Sequence, residues 1–249
     1  MRSLLAALLL IAFSPTFSRA AEPPPRLELR EGDRVVFLGD TLVERGQYHG
    51  WIELMLTTRT AAKDVSFRNL GWSADTPEGV ARAGLSLMQA GREPADEGWT
   101  QLQKQITDAR PTVIFVGYGM AASFDGPAAG DRFATQYARL LDTLARLAPT
   151  ARLVLLGPSR HEALGAPWPD PAAHNAALAR LDVLVRDFAA QRGARFFSLQ
   201  DALRAPMAAA PAASRLTDNG IHLNSAGYRA AAIALEDFLF APPAPSDPS

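Results

Sequence analysis

The sequence predicts an α/β fold: a three-layer α/β/α sandwich around a five-stranded parallel sheet. Three observations predict it. Five short runs of β-branched, aliphatic and aromatic residues are apolar enough to be covered on both faces, as buried parallel strands are. Stretches with helical periodicity lie between them. Four of the runs end on a glycine, which permits a tight turn and close approach of backbone to a ligand.

The first run is Arg34–Leu38, followed by Gly39-Asp40-Thr41. The second is Val65–Leu70, followed by Gly71-Trp72-Ser73. Next come Thr112–Val116 with Gly117-Tyr118-Gly119-Met120, then Arg152–Leu156 with Gly157-Pro158-Ser159, and last Arg195–Leu199. The clearest helix is Asp131–Ala148, where Phe133, Tyr137, Leu140, Leu141, Leu144 and Leu147 share one face. Residues 173–192 repeat the pattern through Leu178, Leu181, Val185 and Phe188, and residues 78–90 do so more weakly through Val80, Leu87 and Met88. A final helix over 225–240 is expected to bury Tyr228, Ile233 and Phe238, with Asn224 or Ser225 as N-cap. Strands alternating with helices define the parallel sandwich.

The 249 residues are 48% hydrophobic and 20% charged, which suits one domain with a sizeable core, placed at residues 27–240. Residues 1–20 read as a secretory leader. Arg2 supplies the positive end, Leu4 to Phe13 is too short to span a bilayer comfortably, and Ser18-Arg19-Ala20 places small residues before a cut ahead of Ala21. Residues 21–26 form a Pro-rich linker, and residues 241–249 (APPAPSDPS) a Pro-rich tail expected to be disordered. The mature protein is therefore expected to be secreted or periplasmic, with no membrane span after cleavage. A net charge of −1 offers no basic face for nucleic acid. The chain has no cysteine, which excludes disulfides, thiol nucleophiles and thiolate metal sites. With four histidines and no cysteine, no dedicated zinc site is expected.

Ligands of open parallel sheets bind at the carboxyl ends of the strands. The four glycine-led turns are therefore the candidate site. Among them Thr41 offers a hydroxyl. A hydroxyl nucleophile needs a base, an orienting acid and donors for the oxyanion. The base lies in LTDNGIHLNSAGY (216–228), where His222 follows Asp218 closely.

The order of Gly-Asp-hydroxyl after strand one, NLGWS after strand two, GYG after strand three and DNGIHLN near the end resembles the SGNH (GDSL-type) hydrolases. Within that family it looks most like the exported versions common in planctomycete-like bacteria. The resemblance covers essentially the whole mature chain. It implies Thr41 at the nucleophile position, Gly71 as the second-block glycine and His222 as the base. It further implies that Asp218 orients His222, that the N–H groups of Thr41 and Gly71 hold the oxyanion, and that no cofactor is needed. The implied substrate is a small-molecule or carbohydrate ester.

Three catalytic positions depart from the family pattern. The serine is Thr41, whose methyl crowds a tetrahedral intermediate and stiffens χ1. The third-block asparagine falls near Ala121, two residues after Gly119, and alanine has no side-chain donor; losing such a donor costs ~10²–10³ in kcat. The position three before His222 is Asn219, with Asp218 one residue further, so either the loop bulges and Asp218 orients His222 or Asn219 does so as a neutral partner. An Asp-to-Asn change in a triad costs about 10⁴ in kcat. Two readings follow: an ester hydrolase (esterase or carbohydrate acetyl-esterase), or a catalytically impaired relative that binds a glycan or cell-wall ligand. A structural periplasmic module with a protein partner is a third.

Other residues carry paired expectations. Asp40 is expected to hold the strand-one turn through backbone hydrogen bonds. Glu44 and Arg45 read as a local charged pair or a solvated helix face. Trp51, Trp72 and Tyr118 read as aromatic faces for a sugar or as core. Ser123 is a candidate replacement for the missing donor at Ala121. His161, with Glu162 beside it, reads as a second titrating site or a surface loop residue. His49 and His174 show no ligand spacing.

Overall fold

The structure, a computed structural model, describes residues 26–83, 96–126 and 129–240. Five strands, β1 (Arg34–Gly39), β2 (Ser66–Gly71), β3 (Val113–Gly117), β4 (Arg152–Leu156) and β5 (Arg195–Phe197), form one sheet in the order β2-β1-β3-β4-β5. Every neighbouring pair is parallel. The chain runs from β1 outward to β2, then crosses back to β3. Strand order therefore reverses between β1 and β3, and the crevice over their carboxyl ends is the natural ligand position.

The helices are α1 (Thr41–His49), α2 (Trp51–Arg59), α3 (Glu97–Ala109), α4 (Ala129–Leu147), α5 (Ala172–Arg192), α6 (Leu199–Ala202), α7 (Arg204–Ala209) and α8 (Ser225–Phe240). Side chains alternate across a strand, so each strand feeds two cores. Phe37, Phe115 and Val154 point to one face and pack with Leu56, Tyr228 and Leu235 from α2 and α8. Val36, Ile114 and Leu155 point to the other and pack with Leu102, Phe133 and Val185 from α3, α4 and α5. This double coverage is why the strands read as continuous apolar runs.

Several elements differ from expectation. The fifth strand stops at Phe197 because the Ser198 hydroxyl accepts from the Asp201 N–H (3.1 Å) and opens α6. In the expected helix 78–90, Val80–Arg82 form a single 3₁₀ turn with Val80 half exposed, while Leu87 and Met88 lie outside the described residues. In α8 Tyr228 is buried, but Ile233 and Phe238 stand 48% and 41% exposed. The buried stripe runs through Tyr228, Ala231, Ala232, Leu235 and Leu239, which keep the three-and-four spacing that Ile233 and Phe238 break. Asn224 is the N-cap, its Oδ1 accepting from the Gly227 N–H (3.0 Å). Among the described residues no helix is long and apolar enough to cross a membrane.

Gly39 lies in register with both Gly71 and Gly117. A Cβ on Gly39 would sit 2.1 Å from the Gly117 carbonyl oxygen and 2.4 Å from Val43 Cγ2. A Cβ on Gly71 would sit 2.2 Å from the Glu44 nitrogen. Helix α1 therefore rests directly on the strand ends. Gly39→Ala is expected to cost at least about 2 kcal/mol of unfolding free energy in urea titration, because the obstructing atoms include backbone. Gly130→Ala in α4, where the nearest atom would be Leu184 Cδ1 at 3.8 Å, is expected to be neutral or to gain up to about 1 kcal/mol.

Candidate active site

Asp40 turns β1 into α1. One carboxylate oxygen caps the helix by accepting from the Leu42 N–H (3.1 Å). The other accepts from the Gly119 N–H (3.2 Å) and the Met120 N–H (3.3 Å) in the turn after β3. The Asp40 N–H donates to the Gly117 carbonyl (3.0 Å). Gly119 can present its amide this way because its φ of +138° suits glycine. Asp40 is buried, and burial pushes its carboxyl up to about 6; the three amide bonds oppose the rise and nearby Asp75 adds to it.

Thr41 is the first residue of α1, where backbone N–H groups have no acceptor within the helix. Its Oγ1 accepts from the Ala74 N–H (2.8 Å), so Ala74 is a site residue that motif reading misses. Ala74 has φ +56°, a left-handed state that costs a non-glycine residue about 1–2 kcal/mol. A buried network braces that turn. The Arg82 guanidinium pairs with Asp75 (2.8 Å) and donates to the Leu70 carbonyl (2.8 Å), and the Tyr118 hydroxyl donates to Asp75 (3.3 Å). Tyr118 thus belongs to the core, while Trp72 is 44% exposed with Arg82 5.9 Å from its ring centroid.

The turn after β2 is fixed by Asn69. Its Nδ2 donates to the Val43 carbonyl (2.7 Å), and its Oδ1 accepts from the Gly71 N–H (2.8 Å). The amide expected to face an oxyanion is therefore engaged by Asn69. Ala121 continues the β3 turn in helical conformation, with its carbonyl accepting from Phe124 N–H (3.3 Å).

The loop carrying His222 is held from outside and inside. Buried Glu162 accepts from the Leu216 N–H (3.0 Å), the Thr217 N–H (2.9 Å) and the Thr217 hydroxyl (2.5 Å). Glu162 is thus a loop anchor and not a partner of His161. Asp218 pairs with Arg45 of α1 (2.6 Å), so Arg45 and Glu44 do not pair with each other; Glu44 accepts from Tyr48 and Ser73 instead. His222 meets Asn219, whose Nδ2 lies 3.3 Å from His222 Nδ1. Asn219 Oδ1 accepts from the Ile221 N–H (3.2 Å) and the His222 N–H (2.9 Å), which fixes which amide atom faces the ring. Nδ1 is then an acceptor, and the neutral ring carries its proton on Nε2. Burial and the neighbouring Arg45 lower the His222 pKa, against a smaller raising effect of Asp218. Among the described residues no hydrogen bond joins Thr41 Oγ1 to His222. Trp51 is used structurally, donating to the Ser225 hydroxyl (2.9 Å), and His49 stacks on Tyr228.

A second cluster lies along the same edge. Ser123 Oγ is 2.6 Å from His174 Nε2, and His174 Nδ1 is 2.9 Å from His161 Nδ1. Sequence spacing gives no sign of this, since His161 and His174 sit on different elements and meet only through the fold.

An α/β/α sandwich with a hydroxyl at the end of its first strand and a histidine loop before its last helix has the layout of a hydrolase. The chain belongs to the GDSL-like lipase/acylhydrolase family, whose model matches residues 37–230. Among solved structures it is similar to a catalytic mutant of an acetylxylan esterase from Geobacillus stearothermophilus, at 14% identity and a TM-score of 0.65 over 86% of this chain and 97% of that one. It is also similar to an alpha/beta hydrolase enzyme from the metagenome of Lake Arreo, Spain, at 21% identity and a TM-score of 0.61 over 86% and 97%. A gut microbial diltiazem-metabolizing enzyme matches at 22% identity and a TM-score of 0.63 over 88% of this chain, which spans about half (48%) of that one. No curated protein matches the chain.

The raised pKa of Asp40 has a stability consequence. The folded state holds this proton more tightly than the unfolded chain, so the contribution is fully present below about pH 4 and is lost as pH rises to about 6. The loss is roughly 2–3 kcal/mol at about 1.4 kcal/mol per pKa unit. Asp182, also pushed up to about 6 by burial, contributes in the same window, so the test is a difference: between pH 4 and 7 Asp40→Asn is expected to lose less stability than the wild type in denaturation curves, by roughly that 2–3 kcal/mol.

Proposed function

We propose that the protein hydrolyses carboxylic esters of the small-acyl or carbohydrate acetyl-ester class, slowly, with Thr41 as nucleophile and His222 as base. The proposed setting is outside the cytoplasm, with residues 1–20 as leader. Family membership supports the reaction class. The position of Thr41, at the first turn of α1 and over the point where strand order reverses, supports its role. In the forward step the His222 ring first shifts its proton from Nε2 to Nδ1; Thr41 Oγ1 then adds to the ester carbonyl carbon while its proton passes to the vacated Nε2. The alcohol then leaves with that proton, and water releases the acyl group by the same path.

The observation that sets the rate is the Asn219–His222 contact. A ring whose Nδ1 accepts from an amide carries its proton on Nε2, and so cannot take another there without first losing it. Asp218, the acid expected to orient the ring, is occupied by Arg45. The same contact favours a second reading, in which the edge binds a glycan or cell-wall ligand without turning it over. The exposed ring of Trp72 would offer a stacking face.

Asn219→Asp separates the two. It is expected to raise kcat on a short-chain aryl ester by at least about 10², toward the 10⁴ that the reverse exchange costs in a working triad. Thr41→Ala in that background is expected to abolish the gain. No gain in Asn219→Asp, together with calorimetric binding of acetylated xylo-oligosaccharide by the wild type, would sink the hydrolase reading in favour of binding.

A further inference from the structure

We propose that Ser123, His174 and His161 form a second nucleophilic relay, separate from the Thr41 turn, that cleaves esters of short aliphatic acyl groups seated between α4 and α5. For its reaction class the inference rests on the ester-hydrolase reading; its residues are its own.

The three side chains come from two connections and a helix. Ser123 lies in the 3₁₀ turn Ala122–Phe124 after β3, His161 in the connection from β4 to α5, and His174 in the first turn of α5. Both rings are fixed. Phe124 lies against His174 with centroids 4.4 Å apart, and the two imidazoles meet edge to face at 78°. Asn175 pins the backbone of His161 on both sides, accepting from its N–H (3.0 Å) and donating to its carbonyl (2.8 Å).

One hydrogen fits between two Nδ1 atoms 2.9 Å apart, and Ser123 Oγ, with one hydrogen, also lies 2.6 Å from the Met120 carbonyl. Two neutral arrangements follow. In one, Ser123 donates to Met120, His174 Nε2–H donates to Ser123, and His161 Nδ1–H donates to His174. In the other, Ser123 donates to His174 Nε2, and His174 Nδ1–H donates to His161 Nδ1. The second is the order of nucleophile, base and orienter, with an imidazole where an acid usually stands. Burial lowers the pKa of both rings, and His161 lowers that of His174 further, so both stay neutral and able to accept a proton at pH 7.

A cavity of about 560 Å³ opens beside Ser123, walled by Ala129, Ala134, Ala177 and Leu184. These short apolar side chains suit an aliphatic acyl group. Arg180 and Asp131 complete the wall, and Arg180 has no ion-pair partner among the described residues. It is the one cation among the residues that line the cavity. In the step itself the Ser123 Oγ–H adds to the carbonyl carbon. The new C–O bond forms as the carbonyl pair moves onto oxygen, and the proton goes to His174 Nε2. His174, protonated on both nitrogens, is stabilised by the His161 Nδ1 lone pair. It then protonates the leaving alcohol as the ester C–O bond breaks. Water, deprotonated by His174, attacks the acyl-serine and restores the hydroxyl.

The test is labelling of the purified full chain with an alkyl fluorophosphonate, followed by peptide mapping by mass spectrometry. The expected adduct is on Ser123, absent in Ser123→Ala. His174→Gln is expected to slow it at least 100-fold, and His161→Gln at least 10-fold. An adduct on Thr41 overturns this inference while leaving the Thr41 reading standing. No adduct on either residue overturns it too, and the Asn219→Asp assay then decides the Thr41 reading by itself. Mapping the wild-type adduct requires no variant to fold.

Discussion

Three strand backbones and helix α1 meet at Gly39, with the Val43 side chain of α1 seated against them. Gly71 and Gly117 flank it in register, and Val43 and Glu44 of α1 lie where Cβ atoms would otherwise stand. That close approach sets the rest of the edge. It brings the N-terminus of α1 down onto the sheet and puts Thr41 at the level of the β2 turn, within reach of Ala74. It also lets the Asp40 carboxylate reach across to the amides of Gly119 and Met120. A larger residue at the centre of this contact would lift α1, and the cap and both turns would part together.

The edge so formed is rich in neutral bases and poor in free acids. His161, His174 and His222 all have lowered pKa values, with burial as the first cause in each. The nearby carboxylates are committed elsewhere. Glu162 anchors residues 216–217, Asp218 faces Arg45, and Asp40 binds backbone amides. No carboxylate hydrogen-bonds to any of these three rings among the described residues. Their hydrogen-bond partners are instead an amide, a hydroxyl and one another.

How much of this was legible in the sequence depended on the physical signal each part leaves. The sheet was legible because its central strands are covered on both faces and so read as unbroken apolar runs. Helices α4 and α5 were legible because a long stripe faces the core. Helix α1 was not, since only Val43 of its residues is buried and it is held by a cap and by the sheet edge. In α8 the bulkiest apolar residues misled, because alanines do much of the packing there. At the site, the turn residues Asp40 and Thr41 could be picked out by their place after a strand. The partner of His222 could not. Whether Asp218 or Asn219 faces the ring depends on an Asx-type turn in which Asn219 accepts from the two amides that follow it. The meeting of His161 and His174 is tertiary and leaves no spacing to read.

That small turn has an evolutionary consequence. The atom of Asn219 that shapes the loop is its carbonyl oxygen, and a carboxylate would present the same atom in the same place. The group that faces His222 is the only thing an exchange to aspartate alters. The loop can therefore pass between an amide and an acid with its backbone undisturbed and almost no effect on folding, while the protonation of the histidine changes hands. A lineage carrying such a turn can exchange that one side-chain atom in either direction without losing the protein.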